Sequence, residues 1–118
     1  MIKINKNHEI SEQDLDYLMV AALEGGINYW CGECRIVKNP VGLEYASEVV
    51  AYGGTLEMID AEEPDEKWTL TRTKLLKGVE RGMEHYEYNS VQELMDSHDA
   101  DTADVIVQYA LFDEIVFG

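Results

Sequence analysis

The chain is organised around one ten-residue stretch, Gly25-Gly26-Ile27-Asn28-Tyr29-Trp30-Cys31-Gly32-Glu33-Cys34, which we call the central stretch. It holds one of the two tryptophans and both cysteines, which are spaced Cys-x-x-Cys. A helical pattern precedes it, and a short β-like run, Arg35-Ile36-Val37-Lys38, follows it. A helix stop, an aromatic pair and a two-cysteine turn in so few residues indicate the structural centre of the fold.

The segment before the central stretch is predicted to be an amphipathic helix. Its apolar residues recur at helical spacing: Leu15, Leu18, Met19, Ala22 and Leu23. Ser11 is a favourable N-cap, with Asp14 three residues on. Gly25 and Gly26 are expected to end the helix, because glycine accepts the left-handed backbone of a C-terminal cap. Ile2-Lys3-Ile4 alternates and predicts a short strand.

Beyond the central stretch the pattern alternates between helices and strands. A second helix is predicted over residues 42–52, before Gly53-Gly54. Thr55–Ile59 and Lys67–Leu70 predict a β-hairpin with a polar turn. A third helix, capped by Thr71 or Thr73, follows. Its apolar stripe is Leu75, Leu76, Val79 and Met83.

Two glycines, Gly78 and Gly82, interrupt the third helix, and we expect another element to cross closely there. Ser90 begins a capping box for a short helix through Met95, and Asp101 is expected to cap the last helix. The tail, Glu114–Phe117, is expected to dock as a strand or an extended segment. The sequence therefore predicts one domain over residues 1–118. Its fold class is α+β, with a small, mainly antiparallel sheet packed against three to five helices.

The charge balance restricts the partners. The chain has 118 residues and a formal net charge of −15, from 24 acids against 9 bases. Because nucleic acids and anionic membranes are both negatively charged, we expect no direct binding to either and favour a basic protein partner. With no apolar block near the start, we expect a soluble, intracellular protein.

The Cys-x-x-Cys spacing predicts a zinc site, because two thiolates on a glycine-bearing turn can bind one ion. Tetrahedral zinc needs two further ligands, for which His85 and His98 are the candidates beside Cys31 and Cys34. A nearby Asp or Glu could replace one of these histidines. The alternative is a pair of reduced cysteines on a turn. A dithiol oxidoreductase is disfavoured, since the second cysteine enters a β-like run and nearby acids raise thiol pKa values.

Two acidic groups are candidates for partner binding, because such a surface can imitate a phosphate track in a basic groove. The predicted contact residues are Glu57, Asp60, Glu62, Glu63, Asp65 and Glu66 in the hairpin, and Glu84, Tyr86, Glu87 and Tyr88 after the third helix. For catalysis, the sequence contains no nucleophile with an evident base and no phosphate-binding glycine loop. We therefore expect a protein that is not an enzyme.

Three segments resemble a family of small acidic proteins encoded by bacteriophages and prophages, whose functions are largely unassigned. They are Ala22–Cys31, Glu44–Glu48 and Ala103–Phe112. The chain also resembles, more loosely, anti-CRISPR inhibitors. Cys34 is not carried over from the family pattern, so any zinc site would be specific to this member.

The resemblance, the net charge of −15 and the two acidic groups together favour a stoichiometric inhibitor of a bacterial defence nuclease, which we expect to act in the cytoplasm of the bacterial host. A type II CRISPR effector is the favoured target, because its channel for the heteroduplex is positively charged. One alternative is a sponge protein that sequesters a nucleotide immune signal, using the Tyr and Trp side chains with Arg35, Lys74, Lys77 or Arg81. Another is a metal-stabilised structural or packaging accessory.

Overall fold

A computed structural model describes all 118 residues. The first long helix, α1, runs over Glu12–Ala21, and the Ser11 hydroxyl accepts the Asp14 amide at 3.0 Å, as predicted. The helix continues as a π-helical turn, Ala22–Gly26, before the central stretch turns away.

The glycine pair does not form the left-handed cap that the sequence predicted. Only Gly42 and Gly53 among the glycines have positive φ angles. Gly26 is needed for another reason, since a Cβ there would lie 2.5 Å from the Ala100 carbonyl oxygen. The glycine therefore permits close approach of another helix rather than an unusual backbone conformation.

The main sheet has three antiparallel strands in the order β3-β4-β5. Their bounds are Cys31–Lys38 for β3, Thr55–Asp60 for β4 and Lys67–Thr71 for β5. The predicted hairpin is confirmed, with Met58 opposite Trp68. Strand β3 is longer than predicted, because it begins within the central stretch at Cys31.

A separate two-stranded sheet joins β1, Ile2–Lys3, to β2, Glu9–Ile10. The second helix, α2, covers only Ala46–Ala51, so the prediction of a helix over 42–52 was too long. Gly42 has a φ of 66°, and the Asn39 side chain bonds both the amide and the carbonyl of Leu43. These bonds form a local turn that competes with helix formation.

The C-terminal half is helical, with α3 over Arg72–His85, α4 over Val91–Ser97 and α5 over Ala100–Phe112. Thr71 caps α3, as one of the two predicted options. The cap of α5 is Asp99 rather than Asp101, because Asp99 Oδ1 accepts the Thr102 amide at 2.9 Å. The tail after α5 docks through its backbone and Phe117 but forms neither a strand nor a helix.

The fold is α+β, as predicted, with five α-helices and two small antiparallel sheets. Residues from α1, α2, α3, α5 and the sheet form one apolar core, in which Leu15, Val50, Leu56, Leu75 and Ile106 are fully or almost fully buried. None of the helices is both long and apolar enough to cross a membrane.

The predicted close crossing at α3 is confirmed. A Cβ on Gly78 would lie 2.8 Å from the Ala110 Cβ and would also clash with the Ile106 carbonyl oxygen of α5. A Cβ on Gly82 would lie 2.7 Å from the Ile106 Cγ1. The two glycines thus allow α3 and α5 to pack backbone against backbone at the centre of the core.

Replacing Gly78 with alanine should destabilise the protein. The added methyl overpacks the α3–α5 contact, so we expect a loss of about 1–3 kcal/mol in the free energy of unfolding, measured by urea denaturation. Gly25→Ala is the matched control, because its Cβ would meet nothing within 4 Å. If both variants lost the same stability, close packing at Gly78 would not be the reason.

Candidate functional site

The aromatic pair of the central stretch anchors a polar network in which Trp30, Asp104 and Gln108 are buried and Tyr29 is 55% exposed. Trp30 is 3% exposed, and its Nε1 donates to Asp104 Oδ1 at 2.7 Å. The Tyr29 hydroxyl donates to Asp104 Oδ2 at 2.5 Å. Burial, followed by the hydrogen bond to Asp104, raises the pKa of Tyr29 to about 12. Tyr29 therefore stays neutral and donates at physiological pH.

Gln108, which is fully buried, extends this network to the tail. Its Nε2 donates to Asp104 Oδ1 at 2.9 Å and to the Phe117 carbonyl oxygen at 3.1 Å. Its Oε1 accepts the amides of Val116 and Phe117, each at 2.8 Å. One side chain thus satisfies three polar groups of the tail backbone.

The tail in turn completes an aromatic cluster over the sheet. The Phe117 ring stacks on Trp30 with the centroids 5.0 Å apart and the planes 4° apart. Trp68 and Phe112 meet both rings edge to face. Both tryptophans therefore serve the interior packing of the protein.

Cys31 and Cys34 line one groove of about 270 Å³, together with Leu23, Ile27, Asn28, Gly32 and Glu33; we call it the cysteine groove. An irregularity in the β3–β4 register between Cys31 and Glu33 brings both side chains to it. Burial raises the pKa of both thiols, that of Cys34 to about 12. Both cysteines are free, and Cys31 Sγ donates to the Glu33 carbonyl oxygen at 3.3 Å.

The two histidines predicted to complete a zinc site lie elsewhere. His85, at the end of α3, packs against Tyr86 and Tyr109. His98 follows α4, and its Nδ1 lies 2.8 Å from the Met95 carbonyl oxygen. No group of three or more His, Cys, Asp or Glu side chains is arranged to hold a metal ion. The structure thus brings Cys31 and Cys34 together without the two histidines, and the zinc site stays a prediction.

The hairpin acids are mostly exposed, as expected for contact residues. Asp60 ends β4, and its Oδ1 accepts the amides of Glu62 and Glu63, both at 2.8 Å, which shapes the turn. Glu57 lies within β4, half-buried and opposite Arg35 of β3. The turn itself carries four exposed acids, Glu62, Glu63, Asp65 and Glu66.

The second group of predicted contact residues, which follows α3, is only partly brought together in the structure. Glu84, Glu87 and Tyr88 line a groove of about 190 Å³ with Asn5, His8, Glu80, Met83 and Asn89, which we call the α3 groove. Tyr86 instead stacks on Tyr88, with centroids 5.5 Å apart. Both rings are half-buried, so they offer less surface than the contact residues that the sequence predicted. No hydrogen bond, ion pair or shared groove joins this group to the hairpin acids.

The largest groove was not predicted from the sequence. It has a volume of about 500 Å³ between α1 and α2, and we call it the α1–α2 groove; its lining residues are Asp16, Val20, Leu23, Glu24, Tyr45, Ala46, Ser47 and Glu48. Asp16 Oδ1 is buried without a hydrogen-bond partner. The available signal was the helical spacing of Asp16, Val20, Leu23 and Glu24, which places a mixed acidic and apolar stripe on one helix face.

A fourth groove, the tail groove of about 220 Å³, is lined by Tyr29, Trp30, Asp60, Ala61, Glu62, Phe117 and Gly118. All four grooves therefore contain at least one carboxylate, and none contains Lys or Arg. Such an arrangement suits ligands with positive charge and disfavours phosphates.

The raised thiol pKa values predict slow alkylation. At pH 8 the folded protein should react with iodoacetamide at Cys34 at least about tenfold more slowly than the urea-unfolded chain, because the thiolate is the nucleophile. Mass spectrometry of quenched samples measures both rates. A folded rate equal to the unfolded one would contradict burial of these thiols.

Removing the carboxylate of Asp104 should be costly. Asp104→Ala leaves three donors, on Trp30, Tyr29 and Gln108, without their charged acceptor, so we expect a loss of about 3 kcal/mol in the free energy of unfolding. Urea denaturation followed by circular dichroism measures it. Asp101→Ala, at an exposed position of the same helix, should cost less than about 1 kcal/mol. Similar losses in both variants would disprove the role of the network.

Comparison with protein-family models, curated proteins and solved structures gave no match. The resemblance to phage-encoded proteins therefore stays a prediction. What bears on function is the geometry of the grooves and the distribution of charge around them.

Proposed function

We propose that this protein is a stoichiometric, non-catalytic inhibitor that binds a positively charged surface of another protein. The partner we propose is a bacterial defence nuclease, in the first place a type II CRISPR effector. The protein would be phage-encoded and would act in the cytoplasm of the bacterial host. By occupying the basic channel it would block nucleic-acid loading.

The observation that carries this proposal is the absence of Lys and Arg from all four grooves, each of which contains a carboxylate. Three of the nine bases are already paired with acids, in Arg35–Glu33, Arg72–Glu12 and Arg81–Asp113. The surface therefore presents negative potential at each concave site, which steers a basic partner during association and suppresses acidic ones.

The α1–α2 groove is the best place for side chains of such a partner. Glu24 and Glu48 offer carboxylates beside the apolar side chains of Val20 and Leu23. The Tyr45 ring is 62% exposed at the same groove and can face a guanidinium or ammonium group. An arginine or lysine with its apolar stem matches this combination of surfaces.

The alternative, a sponge for a nucleotide signal, has less support from the arrangement of side chains. Trp30 and Trp68 pack in the aromatic cluster, so their faces are not free for a base. Arg35, Lys74, Lys77 and Arg81 line none of the four grooves. Phosphate recognition would need several of these bases to converge.

The test is a DNA-cleavage assay with purified type II CRISPR nuclease and its guide RNA. Cleavage should fall to zero as the inhibitor approaches one molecule per nuclease, and a gel shift should show loss of guide or target binding. Because the attraction is electrostatic, the affinity should fall by roughly tenfold or more between low and high salt.

Three double variants with equal change in charge locate the contact. They are Glu24→Lys with Glu48→Lys, Glu62→Lys with Glu63→Lys, and Glu84→Lys with Glu87→Lys. We expect the first pair to abolish inhibition and the other two to weaken it. Equal effects of all three would remove the α1–α2 groove from the proposal.

Normal cleavage across a panel of type II nucleases would contradict the named target. Depletion of one species from a nucleotide mixture would favour the sponge.

A further inference from the structure

We propose that the free edge of β3 is a dimerisation surface, at which two copies of this chain pair their β3 strands antiparallel into one continuous sheet.

Strand β3 is an open edge. It is the outer strand in the order β3-β4-β5, and of its eight residues only Cys31 is buried and Cys34 half-buried. No backbone hydrogen bond outside the strand ladder reaches residues 32–38. At the opposite edge, Lys74 Nζ of α3 donates to the Thr69 carbonyl oxygen of β5 at 2.8 Å, so a side chain from outside the strand covers part of that edge.

The exposed side chains of β3 favour pairing. Ile36 is 43% exposed and Val37 is 56% exposed, although both are strong strand formers. The strand also carries Arg35 and Lys38 against only Glu33, so it is locally positive in a chain of net charge −15. Two copies of an acidic protein therefore meet less repulsion at this edge than at their acidic grooves.

The charges of β3 are complementary to themselves in one register. A two-fold axis between identical antiparallel strands places one residue opposite its own copy. With Cys34 at the axis, Glu33 faces the Arg35 of the second copy, twice over, and Ile36 faces Gly32. With Arg35 at the axis, two guanidinium groups face each other. With Ile36 at the axis, Arg35 faces Val37 and no ion pair forms.

The uninterrupted part of the ladder supports the Cys34-centred register. The β3–β4 pairing is regular from Glu33 to Ile36, with irregularities between Cys31 and Glu33 and between Ile36 and Lys38. The three residues at the centre of the proposed pairing, Glu33, Cys34 and Arg35, lie within this regular part. Cross-strand pairs of opposite charge fix a register even where they add little to affinity.

Sedimentation velocity tests this dimer by measuring the mass of the protein in solution. A phosphine reductant is present to exclude disulfides. As the concentration rises from micromolar to millimolar, the mass should increase from the 13.4 kDa of one chain to about twice that value. Val37→Lys should keep the chain monomeric, with unchanged urea denaturation as the check on folding. A wild-type chain that stays monomeric at millimolar concentration would overturn the proposal. A dimer that Val37→Lys does not weaken would also overturn it.

Charge swaps test the register. Glu33→Arg places like charges opposite each other across the dimer axis, and so does Arg35→Glu, so each variant alone should be monomeric. Mixed in equal amounts, the two variants restore opposite charges across the axis and should form a heterodimer. The intrachain pair of Glu33 and Arg35 stays disrupted in both variants, so recovery on mixing comes from the contact between chains. If the mixture stayed monomeric, the Cys34-centred pairing would be wrong.

Discussion

The carboxylate of Asp104 lies 8% exposed beneath Trp30 and receives hydrogen bonds from a tryptophan, a tyrosine and a glutamine, with no salt bridge to a base. Burying a carboxylate is costly unless its acceptor sites are filled, and here three neutral donors fill them. The position of Trp30 sets the start of β3. The same network, through Gln108, also holds the tail against the sheet. The central stretch, α5 and the tail therefore depend on one charged side chain.

Local patterns in the sequence predicted several elements well because those elements depend on near neighbours. The helix after Ser11 and the hairpin of β4 and β5 follow from apolar periodicity and turn residues. A close crossing at α3 was predicted from Gly78 and Gly82, since a glycine in a helix interior is unfavourable without a packing reason. The structure shows that the crossing element is α5. The second helix was predicted too long, because a side-chain turn at Asn39 leaves no periodic signal.

The polar network and the largest groove could not be predicted in the same way. Asp104 and Gln108 looked like ordinary members of an acidic helix, and only their partners 74 and 79 residues away give them a role. Asp16 is not part of the apolar pattern of α1, and its place at a groove depends on α2, which packs next to it. The total charge was visible in the sequence, whereas the exclusion of every Lys and Arg from the grooves is a property of the folded surface.

The long separation between Trp30 and its partners has a consequence for how the chain folds. The first strand of the main sheet begins one residue after Trp30, whose indole N–H pairs with a residue 74 positions later and whose face is covered by Phe117. Closing so large a loop lowers the entropy of the chain before the contacts that it brings together can stabilise the structure. Proteins rich in such distant contacts therefore fold slowly. The native environment of Trp30 is therefore complete only when α5 and the tail have docked against it.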